Sequence, residues 1–112
     1  MFMILCVIDQ PEHLNSVLQA WRKEGITGVT LLESTGLHRL SQQTHVPMRY
    51  AFGSASSERG NITLFTVVED ETLIQRCLEI TEAIVGDFNE PNTGVFVSWP
   101  VGLCKGVNSK HA

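Results

Sequence analysis

The sequence predicts an α+β domain, with a four-stranded antiparallel sheet carrying both helices on one face. Three observations predict it. Short apolar runs and amphipathic helical stretches follow one another as βαβ and then βαβ again, in two halves of similar length. About two dozen residues without periodicity, 37–60, separate the halves, which is longer than an ordinary connection and is typical of a functional loop. A chain of 112 residues is large enough for a single core and too small for two.

The elements follow in order. Residues 2–8 are continuously apolar and read as a strand buried on both faces. Asp9 and Pro11 mark a helix start, because the fixed φ of proline suits a first turn. Leu14, Val17, Leu18 and Trp21 follow at helical spacing, and Gly25 ends that helix. Residues 28–32 read as the second strand and 62–68 as the third. Asp70 is a good N-cap for the second helix. The apolar side of that helix carries Leu73, Ile74, Cys77, Leu78, Thr81, Ile84 and Val85, and Gly86 closes it. A turn-rich stretch, 87–93, leads to a fourth strand over 94–99, and 100–112 form a tail.

This is the split-βαβ, ferredoxin-like order. Such a sheet ordinarily alternates between apolar residues toward the helices and polar residues toward water. These strands are apolar on both faces: Phe2, Ile4, Cys6 and Ile8 lie on one side of the first, and Met3, Leu5 and Val7 on the other. Two helices cannot cover both sides, so the chain is expected to be an obligate oligomer. The hydrophobic content of 43% is slightly high for a small monomer and agrees with that.

A net charge of −4 argues against a general nucleic-acid binder, which needs a basic patch. Cys6, Cys77 and Cys104 are odd in number and lack metal-ligand spacing, so buried free thiols in a reducing compartment are expected. The first strand is too short to span a bilayer and has neither a basic leader nor a cleavage site. A cytoplasmic protein without membrane insertion is expected.

Functional residues concentrate where the second strand ends. Thr30, Leu31 and Leu32 run through Glu33 into Gly36, Leu37, His38 and Arg39, a polar cluster at the base of the long loop. Glycine allows close backbone approach to an anion, and the Arg39 guanidinium suits bidentate contact with one. Histidine is the side chain whose ordinary range lies near neutral pH, so His38 is read either as a pH-sensitive donor or as a solvated loop residue. His38 with His45 is a weak metal signal, having no fixed third ligand. Arg49, Tyr50 and Phe52 are of the residue types favoured as interface anchors, and are otherwise loop packing. Trp21 and Trp99 read as core or interface residues. No Ser-His-Asp, Cys-His or paired-carboxylate arrangement is legible, so an enzyme is not expected.

The chain resembles the PII family of trimeric nitrogen-regulatory signalling proteins over residues 3–105. The likeness rests on the opening strand and Pro-started helix, on Gly25-Ile26-Thr27-Gly28-Val29-Thr30 leading to Gly36-Leu37-His38-Arg39, and on Gly94-Val95-Phe96-Val97. The resemblance implies one domain over 1–112, with 37–60 as a T-loop, and a homotrimer whose sheets face inward. It further implies an adenine nucleotide such as ADP, AMP or ATP between subunits. The T-loop would dock on a target protein such as a transporter, enzyme or regulator. By the same resemblance Thr30 contacts the adenine, and Gly36 and Arg39 contact phosphate. Asn92, Thr93 and Gly94 would supply backbone donors to phosphates, and Lys105 would reach a neighbour's site.

The sequence departs from the family at His38, where a second glycine is expected, and at Leu40, where a glutamine is. The Gly-Asp-Gly-Lys signature is replaced by Pro91-Asn92-Thr93-Gly94, so the lysine before the last strand is missing. A triphosphate should lose most by this. A CutA-like metal-binding or catalytic trimer shares the fold and is the alternative. It requires a ligand cluster at a rigid strand end, whereas a regulator requires the long loop.

Overall fold

The computed structural model describes residues 1–34 and 60–107. The loop residues Gly36, Leu37, His38, Arg39, Arg49, Tyr50 and Phe52, and the expected T-loop itself, lie outside the described residues. Four strands form one sheet: β1 (Phe2–Ile8), β2 (Val29–Ser34), β3 (Asn61–Val68) and β4 (Gly94–Pro100), in the order β2-β3-β1-β4. All three pairings are antiparallel. Helix α1 (Leu14–Lys23) joins β1 to β2, and α2 (Glu71–Val85) joins β3 to β4. The architecture is α+β and compatible with a ferredoxin-like fold.

Local chemistry explains most boundaries. Pro11 opens a single 3₁₀ turn, Pro11–His13, and the α-helix proper begins at Leu14. Gly25, at φ 88°, ends α1 in a Schellman arrangement. In it the Gly25 N–H donates to the Arg22 carbonyl (3.0 Å) and the Ile26 N–H to the Trp21 carbonyl (2.9 Å). Asp70 caps α2 by accepting from the Leu73 N–H at 3.1 Å. The Thr72 hydroxyl donates to the same carboxylate, and these two bonds hold the Asp70 carboxyl below its usual range.

The helices lie on the side of the sheet that carries Ile4, Cys6, Ile8, Leu64 and Val68, which pack with Val17, Trp21, Ile26 and Cys77 into one core. A buried bond locks the helices together. The Trp21 indole donates to the Thr81 hydroxyl at 2.8 Å, and that hydroxyl donates to the Cys77 carbonyl at 2.6 Å. Thr81→Val keeps the shape and leaves the indole N–H buried without its acceptor. It should destabilise the fold by about 1–3 kcal/mol in urea unfolding, while Thr81→Ser stays near wild type. Equal stability of the Val variant would show that the bond contributes nothing.

Cys6 and Cys77 are fully buried, and burial pushes both thiols from an ordinary 9.0 up to about 12. Cys77 nearby raises Cys6 further, and the Thr81 hydroxyl partly relieves Cys77. A thiol with a raised folded value contributes fully below pH 9, where both states hold the proton. Between 9 and 12 the unfolded chain loses that proton first, so stability must fall as pH rises. Alkaline unfolding over that window should therefore be shallower in Cys77→Ala. An identical pH slope in that variant would count against the buried-thiol account.

Among the described residues no helix covers the opposite face. Its rows across the sheet are Leu32–Thr63–Val7–Val95 and Thr30–Phe65–Leu5–Val97, with Val67–Met3–Trp99 below. Leu32, Val95, Val97 and Trp99 are each 42–52% exposed, although the face is almost wholly apolar.

Candidate functional site

Antiparallel pairing brings four separate chain segments to one end of the sheet, where β1 and β2 begin and β3 ends. Between them lies a cleft of about 430 Å³. The Schellman turn buries Ile26 to 4% exposure and so delivers Thr27 and Gly28 to the cleft wall. The Thr66 hydroxyl donates to the Gly28 carbonyl at 2.9 Å, tying the start of β2 to β3. Thr30 and Phe65 follow on the open face and line the cleft floor with Met3 and Val67. Leu73 comes from the first turn of α2, which Asp70 caps. The tail closes the ring: the Val101 N–H donates to the Met1 carbonyl at 3.0 Å, and Gly106 and Val107 reach the rim.

Such a cleft has the size and character of a small-molecule site, mostly apolar with a few polar groups. Its hydroxyls are those of Thr27, Thr30 and Thr66, and Glu69 is its one charged side chain among the described residues. Exposed Lys105 immediately precedes the two tail residues at the rim.

Of the residues expected at a site, Thr30 is in the cleft and Lys105 beside it. Asn92, Thr93 and Gly94 are elsewhere. Gly94 pairs with Ile8, and Ile8 pairs with Ile62, so the 92–94 turn lies at the opposite end of the sheet. From Phe2, at the cleft end, to Ile8, β1 advances roughly 20 Å. Ser34 pairs with Asn61 at that far end too, but β2 and β4 are the two edge strands, so the end of β2 and the 92–94 turn stand on opposite edges of the sheet.

That turn is held by backbone constraint. Asn92 has φ 63° and Gly94 φ 138°, both left-handed. A Cβ at 94 would overlap the Val7 carbonyl oxygen and stand 3.3 Å from the Phe88 ring, which itself packs against Phe96 with centroids 5.9 Å apart. The Asp9 N–H donates to the Thr93 carbonyl at 3.3 Å. No side chain fits at 94, so the lysine that the resemblance leads one to expect there has no room.

Among the described residues no group of three or more His, Cys, Asp or Glu is placed to hold a metal ion. No described helix is long and apolar enough to cross a membrane. Comparison with protein-family models and with curated proteins finds no match to the sequence.

Sequence reasoning missed Glu69, the two N-terminal methionines and the tail residues 106–107. The Gly25–Gly28 stretch was a legible signal. Glu69 offered none beyond being a charge between a strand end and an N-cap.

Proposed function

We propose that this chain is a PII-like regulatory protein. Ferredoxin-like subunits assemble as a homotrimer through the open face of the sheet, and an adenine nucleotide binds between subunits. The ligand state is then passed to a target protein by residues 37–60. The open apolar face carries this reading. Its three rows leave Leu32, Val95, Val97 and Trp99 exposed on an otherwise apolar surface, which favours association.

Two further features support it. The cleft is apolar enough for a purine and contains Thr30. The 92–94 turn and the end of β2 lie at the other end of the sheet, roughly 20 Å from the cleft along the strands. A second copy laid against the open face supplies the missing half. Gly36 and Arg39, at the loop base, are the anion ligands in this reading.

Calorimetric titration of the full-length protein with ATP, ADP and AMP tests it. Arg39→Ala should weaken nucleotide binding by roughly ten- to a hundredfold, the worth of a charge-assisted bond, with assembly intact. ATP should not be strongly preferred, because position 94 holds no lysine. Absence of any nucleotide binding would overturn the ligand half of the reading.

A further inference from the structure

The cleft has an uneven charge. Ile26 and Leu73 stand as apolar walls over a floor that includes Phe65 and Val67, and the Thr66 hydroxyl is already engaged by Gly28. Glu69 is the one charged side chain of the described lining, and it is exposed, at the mouth rather than in the floor. Its neighbour Asp70 is committed to capping α2, whereas among the described residues no hydrogen bond or ion pair engages Glu69. Glu69, Asp70 and Glu71 follow one another where β3 passes into α2, so negative charge gathers on the Glu69 side of the cleft.

We propose that Glu69 is a specificity-determining residue that accepts hydrogen bonds from a ribose cis-diol. The inference rests on the nucleotide reading above and extends it to the sugar. The base takes the apolar walls, which leaves the sugar at the mouth. A carboxylate offers only acceptors, and a vicinal diol presents two donors to match them. The same negative charge turns the phosphates away from Glu69 and fixes the ligand's direction. Selection is then for ribonucleotides over deoxyribonucleotides, by a side chain that touches neither base nor phosphate.

The test compares ADP with 2′-deoxy-ADP by calorimetry on wild type, Glu69→Gln and Glu69→Ala, all full length. Wild type should favour ADP by about tenfold, the low end for a charge-assisted bond because the carboxylate is solvent-exposed. Glu69→Ala should bind both nucleotides equally, losing affinity for ADP alone. Glu69→Gln, which keeps an acceptor without the charge, should retain part of the preference. Its affinity for ATP should rise more than its affinity for AMP. Circular dichroism checks that the exposed substitution leaves the fold intact. Equal wild-type binding of the two sugars, or a preference that persists in Glu69→Ala, overturns the role of Glu69 and leaves the nucleotide reading standing. Failure of wild type to bind either overturns both.

Discussion

Gly94→Ala should unfold this domain more readily than any other single methyl addition at a described glycine. Position 94 has φ 138°, and an added Cβ meets the Val7 carbonyl with the Phe88 ring behind it. Backbone strain of this kind costs of order 1–3 kcal/mol, and the overlap adds to it because both obstacles are themselves packed. Relief requires β4 to move off β1, which loosens the register from Ile8↔Gly94 onward. A loss of about 3 kcal/mol or more in urea unfolding is expected, a fall of roughly 15 °C in Tm. Gly102→Ala is the control. Nothing lies within 4 Å of its added Cβ, and it should stay within about 0.5 kcal/mol of wild type. Similar stability of the two variants would show that β4 does not close on β1 as described.

Val97→Asp should dissociate the protein without unfolding it. Val97 stands in the middle row of the open face, beside Leu5, and is 42% exposed in the single chain. A carboxylate there remains hydrated in an isolated subunit, and the helix-side core is untouched. In the proposed trimer the same carboxylate is buried without a partner, at a cost of several kcal/mol per interface. Sedimentation at micromolar concentration should give a trimer for wild type and a smaller species for the variant, with the far-ultraviolet spectrum unchanged. A wild-type monomer, or a variant that assembles as before, would refute the open-face interface. If the nucleotide bridges subunits, its affinity falls with assembly.

The elements whose ends are set locally were legible. The apolar run of β1 ends at Ile8 where Asp9 begins, and α2 runs from its Asp70 cap to Gly86 as the capping chemistry requires. Elements whose ends depend on a distant partner were read less well. β2 starts at Val29 and continues to Ser34, beyond the apolar residues, because Glu33 and Ser34 still find ladder partners in Ile62 and Asn61. β4 takes in Pro100 because that residue sits opposite Phe2 at the sheet edge, where a missing N–H is tolerated. Of the cleft's lining only Thr30 was read from the sequence as a site residue. Its other walls come from both ends of the chain and from the β3–α2 junction, and no local pattern relates Met3, Glu69 and Val107.

By itself the sequence determined that β1 is apolar on both faces, that two amphipathic helices exist, and that one sheet face must be left over. Which face the helices take was decided only by tertiary structure. Ile4, Cys6 and Ile8 look no more suited to the core than Met3, Leu5 and Val7 do. In the fold α1 and α2 lie side by side, and the Trp21 indole reaches the buried Thr81 hydroxyl. Val17 and Cys77 then meet the sheet on the Ile4–Cys6–Ile8 side. β1 and β2 run parallel in one sheet, and the right-handed preference of such a crossover ties α1 to a single face, which hydrophobicity alone does not distinguish.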